Sequence, residues 1–232
     1  MHTGYFRECD LSLWSAEDFD PQMLHVSLAP HRALRSFLVE WREYLLQSNS
    51  TRVIGFKETV LFGKLDWLKV FIPSLKILFL QRDPRAIVSS VLRSNLLSFW
   101  NYIHLIPPLF KAMRPEYVSR SRSVDEATRA AEITAMSVVV RYELVRGAIQ
   151  KFDHMEIHLE ALMQRPREQL DQIIEFLGVE SDDGPLSFLR KRQLASRGGP
   201  YSSFRSPEDV EHAWKRHLTT DQIRAIADVL QC

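Results

Sequence analysis

Lys76-Ile77-Leu78-Phe79-Leu80-Gln81-Arg82-Asp83-Pro84-Arg85-Ala86-Ile87-Val88-Ser89-Ser90 is the stretch whose reading decides the fold. Residues 76–81 form a short, nearly continuous apolar run, the pattern of a parallel strand covered on both faces. Arg82-Asp83-Pro84 ends the run. Pro84 suits the first turn of a helix, where its missing N–H costs little. Ile87, Val88, Val91 and Leu92 continue that helix. Strand, turn and helix make half of a βαβ unit.

The same alternation extends to both sides. Upstream, Leu34, Phe37, Leu38, Trp41, Tyr44 and Leu45 recur at helical spacing within 31–46. Residues 52–56, rich in Val and Ile, read as a short buried strand ending near Lys57-Glu58, and 65–71 as a helix that stops before Pro73. Downstream, Pro107-Pro108 reads as a break and 119–123 as an exposed basic loop. A long helix is expected over 124–152, apolar at Ile133, Met136, Val140 and Leu144. Residues 156–159 suit a third strand. Residues 167–177 suit an amphipathic helix, with Gly178 as its C-cap. Residues 197–206, containing Gly198-Gly199-Pro200, read as a flexible loop. Helices are expected at 210–217 and 219–230, the latter opened by the capping-box pair Thr219 and Gln222. Alternating strands and helices imply an α/β fold, a mostly parallel sheet flanked by helices, in one domain spanning 1–232. Ligands of such sheets bind beyond the carboxyl ends of the strands. That rule places Lys57-Glu58 and Arg82-Asp83 at one edge.

Composition bounds the function. The chain has 232 residues, 45% hydrophobic and 25% charged, the balance of an ordinary globular domain that buries a core without disulfides or metals. Its net charge of +1 argues against nonspecific binding of nucleic acid, and leaves room for a local basic pocket for one small anion. Cys9 and Cys232 make no zinc signature; they form one disulfide or stay free. No apolar run reaches the roughly 18 residues of a membrane span. The first ten residues lack the basic start and apolar stretch of a signal peptide. Asn49-Ser50-Thr51 is a glycosylation sequon.

Arg82 leaves a strand end, and Ser90 lies eight residues on in the following helix, so a guanidinium and a hydroxyl can converge on one phosphate. Taken singly, the pair reads equally as an Arg bound to a nearby carboxylate and a Ser packed on a helix. The segment 79–90 as a whole resembles the 3′-phosphate-binding motif of sulfotransferases, enzymes that use 3′-phosphoadenosine 5′-phosphosulfate (PAPS) as sulfonate donor. Its Arg-Asp-Pro-Arg wording is most similar to the carbohydrate branch. Residues 158–166 with the helix to Phe176-Leu177-Gly178 resemble the family's Tyr-Glu-Asp-Leu segment and its Phe-Leu-Gly helix end. Leu159 replaces the Tyr near the adenine, and Ala161 replaces the Asp. Ser203-Phe204-Arg205-Ser206 and Trp214-Lys215-Arg216-His217-Leu218 resemble the family's C-terminal nucleotide loop and the helix after it.

The resemblance implies a P-loop NTPase-like sulfotransferase fold over roughly residues 50–230. It implies PAPS as co-substrate, no metal, a glycan hydroxyl as acceptor and a Golgi lumen location. Arg82 and Ser90 take the positions that grip the 3′-phosphate, and Arg205 that of a further contact, or else of a solvated loop cation. Glu58 is the candidate general base and Lys57 the group that neutralises the leaving phosphate oxygen; both read alternatively as ordinary strand-end charges. Arg85 and Arg93 have no family role and are expected to face solvent or an acidic partner. The family opens with a strand, a phosphate loop and a helix, and no such unit is read before Lys57. Gly63-Lys64 has no glycine five residues earlier, so no Walker loop is present. The chain is therefore expected to lack the first strand and phosphate loop. A noncatalytic protein of this fold, binding a nucleotide or a protein partner, is the alternative. A P-loop kinase relative is a weaker one, with no Mg²⁺-binding hydroxyl in place.

Overall fold

A computed structural model describes residues 74–94, 106–118, 125–194 and 206–231, together with Glu40, Glu43, Val53, Gly55, Lys57, Leu65 and Lys69. The chain divides into two compact units, 1–75 with 144–153, and 76–143 with 154–232. In the first unit Glu40, Glu43, Leu65 and Lys69 are helical, as the periodicity predicts. Lys69 Nζ sits 4.9 Å from the centre of the buried Phe152 ring. The expected strand over 52–56 is not borne out at its described positions. Val53, Gly55 and Lys57 lie in no strand and are exposed. β-branched residues favour a strand only when a pleated, half-buried surface receives them, and Gly55 weakens one further.

The second unit holds strand β1 (Lys76–Gln81), helix α1 (Pro84–Arg93), helix α2 (Ile106–Met113), most of the long helix α3 (Glu126–Ile149) and strand β2 (Asp153–His158). These are followed by α4 (Leu159–Gln164), α5 (Pro166–Leu177), α6 (Gly184–Leu194), α7 (Pro207–His212), a 3-10 turn (Ala213–Arg216) and α8 (Thr220–Leu230). β1 and β2 pair in a two-stranded sheet. Gln81 at the end of β1 bonds Glu156, and Asp83 beyond it bonds Glu160 beyond β2. The strands therefore run the same way. The described chain is a mostly helical α/β structure with a small parallel sheet.

Local sequence explains the ends of these elements. Pro84 and Pro166 open α1 and α5 at the first helical position. Gly178 ends α5 with φ 69°, a left-handed conformation that glycine adopts without Cβ strain. Thr219 and Gln222 complete a reciprocal capping box on α8. Pro107-Pro108, read as a break, instead sit in the first turn of α2, where N–H groups have no acceptor within the helix and their absence in proline costs little. Helix α3 departs from the single apolar stripe expected of it. Residues 134–138 are buried on every side, Thr134 and Ser137 among them, as in a helix enclosed by its surroundings.

β1 also departs from expectation. Gln81 is buried and Phe79 packs edge-on against Tyr142 of α3, but Leu78 and Leu80 on the opposite face are 38% and 50% exposed. The expected cover on both faces is therefore absent among the described residues. Helix α1 buries Ala86, Val88 and Val91 against α7, the 3-10 turn and α8. This packing carries the C-terminal segment onto the helix that bears Ser90.

Candidate nucleotide site at the end of strand β1

The site is built around a turn whose N–H groups, from Arg82 to Arg85, are all taken by side chains. The Arg82 N–H donates to the hydroxyl of Tyr142 at 2.9 Å, and that hydroxyl donates to the Arg82 carbonyl at 2.9 Å. The next N–H, of Asp83, donates to Glu160 Oε1 at 3.0 Å. Pro84 has no N–H. The Arg85 N–H donates to Asp83 Oδ1 at 2.8 Å, which makes Asp83 the side-chain cap of α1. Ala86 and Ile87 donate to the Asp83 carbonyl. Helix N-termini bind anions through free N–H groups and the helix dipole. Here those donors are committed, and the Asp83 carboxylate already supplies the favourable negative charge. An anion at this junction has to be held by side chains.

Two candidate side chains flank the closed helix end. Arg82 is half-buried just beyond β1, with its Nε shielded from solvent. Ser90 is half-buried in the second turn of α1, about 10 Å along the axis from Asp83 at 1.5 Å per residue. Its hydroxyl engages no partner among the described residues, while its carbonyl accepts from the Ser94 N–H and hydroxyl. Lys57 is described, exposed and in the first unit. Glu58 and Arg205 lie outside the described residues.

Arg85 meets an acidic partner, one of the two surroundings expected of it. Its guanidinium chelates Asp83, Nε to Oδ1 at 3.0 Å and Nη2 to Oδ2 at 2.7 Å, which raises its pKa. The same group lies 4.2 Å from the centre of the Trp214 ring. Trp214 is buried, with its Nε1 lacking an acceptor among the described residues, so its ring contacts hold it in place. The 82–85 turn is thereby joined to the segment 206–218, whose residues 214–218 resemble the helix after the family's C-terminal nucleotide loop. The charge of Arg93, at the other end of α1, acts on His217 of that segment. Burial lowers the pKa of His217, and the charges of Arg93 and Arg216 lower it further.

Tyr142, Glu160 and Trp214 were not legible as partners of Arg82 and its turn. The one local signal was the Asp-Pro-Arg order, which places a capping carboxylate two residues before a guanidinium. Among the described residues no group of three or more His, Cys, Asp or Glu is placed to hold a metal ion, and no helix is long and apolar enough to cross a membrane.

The family model described as the sulfotransferase family matches residues 8–183. The chain belongs to the sulfotransferase family. The match takes in β1, the 82–85 turn, α1 with Ser90, Tyr142 and Glu160, and leaves out Trp214. It starts well before residue 50, where the resemblance read from motifs began, and ends before the 203–218 segment. No curated protein and no solved structure matches the chain. Within this sulfotransferase, the contact of Arg85 with Trp214 ties segment 206–218 to the matched region.

Proposed function

We propose that this sulfotransferase takes PAPS as donor and transfers its sulfonate to a carbohydrate hydroxyl in the Golgi lumen. One observation carries the reading: the helix end that follows β1 is closed by Asp83 and Pro84, with Arg82 just before it and Ser90 two turns into α1. Such a junction takes an anion by a guanidinium fork and a hydroxyl. A nucleotide 3′-phosphate has the charge and the multiple acceptor oxygens that this pair requires. Arg205 adds a further cation from the C-terminal loop.

In the proposed reaction the acceptor oxygen attacks sulfur in line. The new O–S bond forms as the bond from sulfur to the phosphate oxygen breaks. Adenosine 3′,5′-bisphosphate leaves with the electron pair, and Glu58 takes the proton of the acceptor hydroxyl. Lys57 offsets charge on the departing oxygen. Rate enhancement comes from positioning and charge stabilisation.

The test has two stages. Adenosine 3′,5′-bisphosphate is titrated calorimetrically into the wild-type chain and into Arg82→Ala. The variant is expected to bind more weakly by about 1.5–3 kcal/mol, the scale of a hydrogen bond to a charged group. Labelled PAPS is then supplied with a panel of glycans. Unchanged affinity in Arg82→Ala would remove the 3′-phosphate from this turn. Binding without any labelled product would make the protein a noncatalytic nucleotide binder of the same family.

A further inference from the structure

A guanidinium grips a phosphate well only if its own backbone is fixed. We infer that Tyr142 is the positioning residue for Arg82, a role that rests on the assignment of Arg82 to the nucleotide 3′-phosphate. One hydroxyl engages both backbone groups of one residue. It accepts from the Arg82 N–H and donates to the Arg82 carbonyl, both at 2.9 Å. A phenol has one donor and spare acceptor capacity, so a single Tyr can do both at once. In a sheet those two groups would be taken by a neighbouring strand. Tyr142 replaces that strand at the first residue beyond β1, where Arg82 must stop following the ladder and turn toward α1.

The tyrosine is itself held. Its ring meets the Phe79 ring edge-on, with centroids 5.5 Å apart and planes at 89°. Phe79 lies in the strand that ends just before Arg82. Val140, two residues before Tyr142, is fully buried, so the helix has little freedom to shift. The Asp83 N–H fixed by Glu160 pins the next peptide. Together these contacts define the backbone dihedrals from which the Arg82 side chain departs. Tyr142 does not need to touch a ligand to set where the guanidinium sits.

Tyr142→Phe keeps the ring and its Phe79 contact and deletes both hydrogen bonds. A structural loss alone would weaken all ligands alike, so the readout is selectivity for the 3′-phosphate. Affinities of adenosine 3′,5′-bisphosphate and adenosine 5′-monophosphate are measured for wild type, Tyr142→Phe, Arg82→Ala and the double variant. Phe79→Leu serves as a control of comparable thermal destabilisation with the hydroxyl retained. The expectation is a loss of about five- to tenfold for the bisphosphate in Tyr142→Phe, the scale of one net hydrogen bond. The monophosphate should be unaffected, and Tyr142→Phe should add nothing in the Arg82→Ala background. The Arg82 amide should also exchange faster in Tyr142→Phe than in Phe79→Leu, a readout that needs no ligand. Equal losses for both nucleotides, additive losses in the double variant, or an unchanged Arg82 amide would overturn the role of Tyr142 while leaving Arg82 in the site. Bisphosphate affinity that is absent in wild type, or indifferent to Arg82→Ala, would overturn the Arg82 assignment and this role together.

Discussion

Arg85 offers a perturbation whose size follows from the contacts it makes. Arg85→Ala removes a two-point ion pair to Asp83 and a guanidinium 4.2 Å from the centre of the Trp214 ring. The Arg85 side chain is 42% exposed and that of Asp83 18%, so solvent screening holds the ion pair to about 0.5–1 kcal/mol. The cation–π contact adds about 0.5–1 kcal/mol at a partly exposed site. The expected loss is therefore about 1–2 kcal/mol. The cap of α1 survives, because the Asp83 carboxylate still accepts from the backbone N–H at position 85. Asp83→Ala loses the cap as well, which costs about 1 kcal/mol more. Arg85→Lys keeps a charge but cannot form two parallel bonds, so it falls between wild type and Arg85→Ala. Urea unfolding gives this order, and a cycle of Asp83→Asn with Arg85→Ala isolates the ion pair. Hydrogen exchange gives the location: amides of 206–218 should exchange faster in Arg85→Ala, while those at the end of α5 stay unchanged. An unchanged unfolding midpoint with unaltered exchange in 206–218 would refute the claim that Arg85 joins the two segments.

Two further outcomes are expected. Gly178→Ala should destabilise by about 1 kcal/mol and Gly178→Asn by less. Nothing lies within 4 Å of an added Cβ, so the whole cost is the left-handed backbone at φ 69°, and denaturant unfolding of the two variants reads it directly. His217 should titrate below the ordinary 6.5, chiefly through burial and then through Arg93 and Arg216. Because the unfolded chain then binds more protons, stability is full above about pH 6.5 and falls as pH drops from there through the folded-state pKa. NMR titration of the His217 ring should give a midpoint that moves up in Arg93→Ala; a midpoint at or above 6.5 in the wild type would show that the imidazole meets neither the burial nor the charges assigned to it.

What the sequence reveals and what it hides divides along the range of the interactions. β1, α1, α5 and α8 are legible because their signals are local: an apolar run, Pro84 at a helix start, Gly178 at a helix end, Thr219 three residues before Gln222. Helix α6 (Gly184–Leu194) was not anticipated, and its burial gives the reason. Leu186 is buried while Phe188 is 53% exposed, so the segment has no apolar face for periodicity to find. Pro107-Pro108 misled because proline is a breaker in mid-helix and a good opener in the first turn, and the sequence does not say which turn it occupies. For the site, Arg82 and Ser90 come from a local motif. Their supports do not: Tyr142 is 60 residues from Arg82, Glu160 is 77 from Asp83, and Trp214 lies still further from Arg85. No local pattern encodes such pairings, and only the packing of α3, α4 and the 3-10 turn around β1 and α1 brings them together.

The order Arg82-Asp83-Pro84-Arg85 has a consequence for how this sulfotransferase can recognise an anion. A strand–turn–helix junction is suited to anions because its N–H groups are unpaired and its dipole is positive. Proline removes one donor, the Asp83 carboxylate takes another, and Glu160 and Tyr142 take the two that precede them. A free anion approaching the helix end would meet the Glu160 carboxylate, which repels it, and an Asp83 carboxylate whose charge Arg85 already offsets. The stretch of α1 beyond its first turn carries no such carboxylate. Its polar groups there are the buried Ser89, Ser90, whose hydroxyl is uncommitted among the described residues, and Arg93, whose charge acts on His217. Under the proposed assignment, an anion is held by the side chains of Arg82 and Ser90 and not by the backbone at the helix tip. Recognition by side chains fixes direction as well as charge, since Arg82 can fork onto two oxygens where a backbone nest accepts any rounded anion. A site built this way favours a phosphate held at a set angle, as on the ribose of a nucleotide, over inorganic phosphate or sulfate free in solution.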